Sequence, residues 1–271
     1  MTSPSAAATR PTEFEIFRGL HHRDRPLVLP NAWDFASAAL LADEGFPAIG
    51  TTSLGVAAAA GLTDGAGVTK AETFTAARRM AGLPIPVTVD VEGGFDERPG
   101  AVADFVEQLA ACGIAGVNLE DGRRGSALAA PEQQAALIAA VKERTPEVFV
   151  NARVDTHWLG LDHGSTHDRA RRYAAAGADG VFVPGLTDPA RIERVVACSE
   201  VPVNVLYSPT GPDLETLTEL GVRRVSTGSL LYRAALSAAL GVARAVRNDA
   251  AVAPGSVSYP EIQRLLPAPP S

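Results

Sequence analysis

Val87-Thr88-Val89-Asp90-Val91-Glu92, Val117-Asn118-Leu119-Glu120 and Val148-Phe149-Val150-Asn151-Ala152-Arg153-Val154-Asp155 are apolar runs that turn polar at every second residue toward their ends. A strand sends alternate side chains to opposite faces. The valines and leucines therefore share one face, while Asp90, Glu92, Asn118, Glu120, Asn151, Arg153 and Asp155 share the other. A parallel strand kept only for packing is usually apolar on both faces. Four carboxylates and an arginine converging at strand ends point to a site, and the surplus of acid points to a divalent cation within it.

Working outward, short apolar runs recur at intervals of about 20–40 residues with helical patterns between them. They centre on Val28, Ile49, Val89, Leu119, Val150, Phe182, Val203 and Val225. Helices are expected at Thr12–His21, Ala36–Glu44, Lys70–Ala81, Gly100–Cys112, Pro131–Arg144, Thr166–Ala176, Pro189–Cys198, Leu214–Leu220 and Leu230–Val246. Gly45, Gly113, Gly177 and Gly221 stand where a helix must stop before the next strand, the usual C-terminal signal. Eight strand–helix alternations predict an α/β fold, a (β/α)8 TIM barrel, as one domain over residues 1–271. Residues 1–11 are expected to be flexible. The Pro-rich tail over 248–271 is expected to carry one short helix at Tyr259–Leu266, and to lie loose or wrap over a neighbouring subunit.

In such a barrel the functional face lies at the C-terminal strand ends. Read in order, these ends offer Asn31 and Asp34, then Thr51-Thr52-Ser53, Asp90 and Glu92, and Glu120 and Asp121. Arg153 and Asp155, Asn204, and finally Ser226, Thr227 and Ser229 complete the ring; the sixth strand ends in Val183-Pro184. Asp90, Glu92 and Glu120 would repel one another without a cation among them. An all-oxygen set suits Mg²⁺ or Mn²⁺ and suits zinc poorly. The alternative is pairing of these acids with Arg123, Arg124 or Arg153. The planar fork of Arg153 suits a substrate carboxylate or phosphonate, or else a strand-end ion pair. Gly50-Thr51-Thr52-Ser53-Leu54-Gly55 supplies hydroxyls and N–H groups able to hold a carboxylate. His157, His163 and His167 read as solvated loop histidines.

Bulk properties exclude other classes. The 46% hydrophobic and 20% charged content is that of a globular enzyme. A net charge of -7 without a basic cluster argues against nucleic acid. Two cysteines imply neither a disulfide framework nor a zinc site. No signal peptide and no membrane span is read, so a cytoplasmic location is expected. The chain has two lysines, Lys70 and Lys142, both in helical stretches, which disfavours a Schiff-base aldolase.

The same residues resemble the isocitrate lyase/phosphoenolpyruvate mutase superfamily. The resemblance runs through Pro30-Asn31-Ala32-Trp33-Asp34, Gly50-Thr51-Thr52-Ser53 with Asp64, and Asp90-Val91-Glu92-Gly93-Gly94-Phe95. It continues through Asn118-Leu119-Glu120-Asp121, Asn151-Ala152-Arg153-Val154-Asp155, Ala178-Asp179-Gly180-Val181-Phe182 and Val203-Asn204-Val205. It implies a barrel whose terminal helix exchanges between subunits of a homo-oligomer, a dimer or tetramer. It implies Mg²⁺ at Asp90, Glu92 and Glu120, with Asp64 nearby through water. Thr52, Ser53 and Leu54 match the part that holds a 2-oxo acid, and Arg153 matches the anion-binding arginine.

Members make or break a C–C or C–P bond beside a pyruvate enolate. The lyases of that group carry a Lys-x-Cys-Gly-His loop after the fourth strand; here the place reads Asp121-Gly122-Arg123-Arg124-Gly125-Ser126-Ala127-Leu128. Pro184 stands where members show His or Glu, and Glu92 replaces the second Asp of Asp-x-Asp.

The expectation is a Mg²⁺-dependent lyase for a small 2-oxo or 2-hydroxy carboxylate of oxaloacetate type. Catalysis falls to Arg153, Glu120 and Asp64, and substrate binding to Thr52, Ser53, Leu54, Arg153 and Asn204, with Arg123 and Arg124 closing over it. Phosphonomutase or phosphonopyruvate hydrolase chemistry, and a barrel that binds a carboxylate without turnover, are the alternatives.

Overall fold

Pro30 interrupts the first strand, and the interruption closes the sheet. Leu27–Leu29 pairs in parallel with Arg224–Ser226, while Asn31–Ala32 pairs with Ile49–Thr51. Proline has no N–H to give to a ladder, so the chain changes partner there. We call this broken strand β1. The others are β2 (Ile49–Thr51), β3 (Val87–Asp90), β4 (Gly116–Glu120), β5 (Phe149–Arg153), β6 (Gly180–Val183), β7 (Val203–Leu206) and β8 (Arg224–Ser226). All neighbours pair in parallel, so the computed structural model, which describes residues 11–252, 255 and 257–267, is a (β/α)8 barrel.

The helices follow the predicted spans closely; Pro131–Arg144 and Pro189–Cys198 coincide with them. Gly45, Gly113, Gly177 and Gly221 have φ of 92°, 97°, 100° and 81°. At these positions the chain turns through the left-handed region that glycine tolerates best. Between sheet and helices, Val89, Val117, Val150, Val181, Val205 and Val225 pack on Val102, Phe105, Leu137, Ile138 and Ile192. This outward valine face is what the alternation predicted.

The barrel interior is layered. Helix Glu13–Leu20, opened by a Thr12–Glu15 capping box, drives Phe17 and Leu20 into the N-terminal mouth against Leu27, Leu29, Ala48, Ala115 and Phe149. His21 stacks on Phe149 at 4.3 Å and donates from Nδ1 to the Phe17 carbonyl. Above this plug lies a polar layer of Thr88, Asn118, Asn151, Asn204, Arg224 and Ser226, all buried. The cavity at the C-terminal ends rests on that layer.

Two further elements bear on the rim. Gly122–Arg123 and Ala127–Leu128 form a small antiparallel hairpin after β4. Thr156–Leu159 is a short helix after β5, followed by a 3₁₀ turn at His163–Ser165. His157 and His163 stack at 4.4 Å there, and burial lowers the pKa of His157. His163 is exposed and His157 and His167 are half-buried, but the segment is not a plain loop: a helix and a turn bring the first two rings together.

Helix Leu230–Arg247 buries none of its residues and leaves Leu236, Leu240, Val242 and Val246 exposed. The tail helix Tyr259–Leu265 returns to its own chain, where Arg264 forms a two-point ion pair with Asp43. The expected flexible segment 1–11 lies outside the described residues, except for Pro11. Among the described residues, no helix is long and apolar enough to cross a membrane.

Candidate active site

The site begins with the cross-strand pair Glu120–Arg153, opposite one another in register. Arg153 Nη1 lies 2.7 Å from Glu120 Oε2 and 3.8 Å from Asp90 Oδ2, and Nε lies 2.6 Å from Asp155 Oδ1. Phe182 and Trp158 flank the guanidinium, each ring centroid 5.8 Å from its carbon. Burial alone would lower the Arg153 pKa, but Glu120, Asp155 and Asp90 outweigh burial and raise it. The arginine therefore stays charged.

Burial dominates the acids. It lifts Asp90 to about 6 against the opposing pull of Arg153, and it raises Glu120 well above the usual carboxylate range. Asp155 is raised for the same reason. One guanidinium is shared among three carboxylates, so the acid surplus foreseen in the alternation is real.

Around this group lies a cavity of about 260 Å³ lined by Thr52, Ser53, Leu54, Asp64, Asp90, Asn118, Glu120, Arg123 and Arg153. Thr52 caps helix Ser53–Ala59 without spending its hydroxyl on the cap. The first N–H groups of a helix lack intrahelical acceptors, so Ser53 and Leu54 present donors to the cavity.

Several expected residues sit elsewhere. Glu92 turns away at φ 48°, and its oxygens accept from Gly67 N–H (2.9 Å) and Thr69 Oγ1 (2.5 Å). Its backbone N–H donates to Asp90 Oδ1, so Glu92 ties the loop carrying Asp64 to Asp90. It is still close enough to raise both Asp90 and Glu120. Asn204 is one layer too deep: it bonds Ser226 Oγ at 3.1 Å and does not line the cavity. Asp34 caps helix Phe35–Asp43 through Ser37.

Asp121 is fully buried beneath the rim, accepting from Arg169, Tyr173 and the Asp155 N–H. Arg123 lines the cavity, but its guanidinium donates to the Glu120 and Gly122 carbonyls and to Gln134 Oε1. A Cβ at Gly93 would lie 2.7 Å from Arg123 Nη1, and one at Gly122 would collide with Asp155. Arg124 stands exposed beside Gly67, on an adjoining cavity with Glu92 and Gly93.

Arg224 escaped the sequence reading. It is fully buried in the polar layer, donating from Nε to Ser226 Oγ and from Nη2 to Asn118 Oδ1, and burial lowers its pKa to about 9. Its position two residues before Ser226 in β8 was the available signal.

The donor set fits magnesium. Asp64 Oδ1 is buried without a hydrogen-bond partner, and Asp90 Oδ2 has its nearest cation beyond hydrogen-bond range. Among the described residues no three His, Cys, Asp or Glu side chains form a ready-made cage. Mg²⁺ needs none, because it keeps several waters and one or two carboxylates.

A model of the phosphoenolpyruvate phosphomutase family matches residues 17–247. The chain belongs to this family, within the isocitrate lyase/phosphoenolpyruvate mutase superfamily.

Family relatives include an uncharacterized protein of Mycobacterium tuberculosis H37Rv, 48% identical over 92% of this chain and 95% of its own. An oxaloacetate decarboxylase of Ectopseudomonas mendocina is 31% identical over 82% of this chain and 80% of its own. Among solved structures, a phosphoenolpyruvate phosphomutase of Streptomyces platensis superposes with TM-score 0.78 at 26% identity, covering 86% of each chain. The family's named members are thus lyases and mutases on this barrel.

Proposed function

We propose that this chain is a Mg²⁺-dependent carbon–carbon lyase acting on a small 2-oxo or 2-hydroxy carboxylate of oxaloacetate type. The observation that carries this reading is one cavity holding Asp90, Glu120, the unpartnered Asp64 oxygen and the N–H donors of Ser53 and Leu54. Asp90 would hold Mg²⁺, with Glu120 and Asp64 reaching it through water. Glu92, expected as a third ligand, would act from outside by fixing the loop that carries Asp64. Mn²⁺ fits the same all-oxygen set. Bound there, the metal supplies Lewis-acid stabilisation of an enolate, worth several kcal/mol.

The protein's own groups do the rest. Thr52, Ser53 and Leu54 hold the proximal carboxylate. Arg153, fixed by Glu120 and Asp155, has Nη2 as its one nitrogen without a protein acceptor among the described residues, and it takes the distal carboxylate. Asn118 forms part of the floor, and its side chain is oriented by Asn151 and Arg224. Arg123 closes the wall at the hairpin. Losing CO₂ from such a substrate needs an electron sink and no acid on the loop after β4, which matches a loop lacking Cys, Lys and His.

The test is a screen of 2-oxo and 2-hydroxy diacids followed by NMR, with Mg²⁺ and with EDTA. Consumption of one of them that EDTA abolishes supports the reading; no consumption of any defeats it. The family match to a phosphomutase favours C–P chemistry as the second reading, and phosphorus NMR of phosphonopyruvate in the same screen separates it. The unburied helix Leu230–Arg247 supports a homo-oligomer, a dimer or tetramer in which a second copy covers that helix. A cytoplasmic location belongs to the same reading.

A further inference from the structure

The cavity is chemically divided around the barrel axis. Its carboxylates come from the ends of β3, β4 and β5, with Asp64 beside them. Next to them around the barrel, the lining turns apolar with Trp158, Leu159, Phe182, Pro184 and Leu206, from the helix after β5 and from β6 and β7, and Trp158 and Phe182 flank the Arg153 guanidinium. That sector contributes no ionisable group. Pro184 lacks even a backbone N–H to offer a polar ligand.

Trp158 is 55% exposed on the rim, one ring face toward the Arg153 guanidinium. Pro184 is buried and Leu206 half-buried. These side chains form a shelf adjoining the proposed metal pole. An unsubstituted four-carbon diacid held between the acid sector and Arg153 would have no group to place against Leu159, Pro184 and Leu206. A substituent on the shelf gains about fourfold in affinity for each methylene it buries.

We propose that the substrate is a 2-oxo diacid bearing an alkyl or aryl group on C3, seated against Trp158, Leu159, Pro184 and Leu206. The inference rests on the lyase reading above and narrows it. For R–CH(COO⁻)–CO–COO⁻, the C3–carboxylate bond breaks and CO₂ leaves. The bonding pair forms the C2–C3 enolate, and a proton from water adds at C3 to give R–CH₂–CO–COO⁻. No oxidant or second substrate is required.

The experiment uses the full chain with Mg²⁺ and compares oxaloacetate with its 3-methyl, 3-ethyl and 3-benzyl derivatives. NMR follows substrate loss against protein-free controls, and calorimetry follows oxalate, a stable mimic of the proximal end. The best derivative is expected to exceed oxaloacetate in kcat/KM by about tenfold or more, as pocket methylenes do. Trp158→Ala should shrink that ratio to about threefold or less while Trp158→Phe keeps it; Trp158 lies on an exposed rim, and melting curves check the folding of both variants.

Oxaloacetate turned over as well as every derivative, with oxalate bound in Mg²⁺, overturns the substituent and leaves the lyase reading intact. A preference that survives Trp158→Ala overturns the proposed seat. Oxalate binding without turnover of any compound overturns the substrate class. Absence of both binding and turnover removes the lyase reading itself, and this inference with it.

Discussion

Glu120 and Arg153 face each other across the ends of β4 and β5, and their side chains close a 2.7 Å ion pair inside the cavity. Asp155 and Asp90 crowd the same guanidinium. Removing the arginine leaves three buried acids without their cation. Breaking a buried pair by deleting one partner costs about 3–5 kcal/mol, so Arg153→Met should lose that much in urea unfolding at pH 7. Turnover should fall at least about a hundredfold, because a charge-assisted anchor is lost with it. An Arg153→Met protein as stable as the parent would show that the acids were already neutralised by other means.

Asp90 and Glu92 are two residues apart in sequence but are assigned different work. Asp90→Asn should abolish the Mg²⁺-induced rise in Tm. For the parent that rise corresponds to about 2.7 kcal/mol when Mg²⁺ stands at a hundred times its Kd. Glu92→Gln should retain most of it, since one amide oxygen still accepts from Gly67 or Thr69. Glu92→Ala should speed hydrogen exchange at Gly65–Thr69 before it changes metal affinity. Thermal shift titrations and exchange mass spectrometry on the three variants distinguish a ligand from a loop anchor.

How far the sequence speaks is clear from these two acids. The alternation in β3, β4 and β5 gave the inward face, and the glycine stops gave the helix ends, so the barrel was readable. Period two, however, reports the face and not the height along the barrel. Asn204 and Glu120 look equivalent in the sequence, yet Asn204 lies below the cavity on Ser226 and Glu120 lines it. Arg224 was missed for a related reason: an arginine inside a barrel is legible only once Ser226 and Asn118 are seen to receive it. Asp121 resembled a site residue because its partners, Arg169 and Tyr173, lie about fifty residues away. Glu92 changed role through a single left-handed backbone angle that no pattern announces.

The Asp121 network offers a stability test separate from chemistry. Tyr173 donates to Asp121 Oδ2 at 2.7 Å and Arg169 at 2.9 Å, and both bonds are buried. Burial, with Asp121 beside it, raises the tyrosine pKa, so the phenol stays protonated and a donor. Tyr173→Phe removes one bond to a charged acceptor and should cost about 1.5–3 kcal/mol. Asp121→Ala strands the buried guanidinium and should cost about 3–5 kcal/mol. Chemical denaturation of both variants checks the order; equal losses would mean that Arg169 finds another partner, such as the Ala129 carbonyl it already touches.

Helix Leu230–Arg247 predicts the state of assembly. Leu236, Leu240 and Val246 are each at least half exposed on one 18-residue helix, and apolar rows of that kind are rarely left in water. A double change, Leu236→Lys with Leu240→Lys, should convert the oligomer to monomer in sedimentation velocity and lower its Tm. The helix holds none of the cavity residues, so Mg²⁺ binding to the monomer should persist. A parent protein that already sediments as a monomer would refute this assignment of the helix.

His21 sets the stability of the barrel floor against pH. Burial, helped by the charge of Arg224, lowers its pKa from 6.5 to about 3, so the folded protein keeps the ring neutral where the unfolded chain would protonate it. The unfolded state therefore binds the extra proton between those two values. Stability from this residue is complete above pH 6.5 and is lost as pH falls toward 3, at up to about 1.4 kcal/mol per pH unit. The raised carboxylates Asp90 and Glu120 slope the other way, so the residue must be isolated by difference. His21→Phe keeps a ring against Phe149 and Phe17 but carries no proton. Urea unfolding of both proteins at pH 7, 6, 5 and 4 should show the parent losing stability relative to the variant at each step below pH 6.5. Parallel curves would place a charged imidazole in the floor of the barrel and contradict the neutral ring that its packing requires.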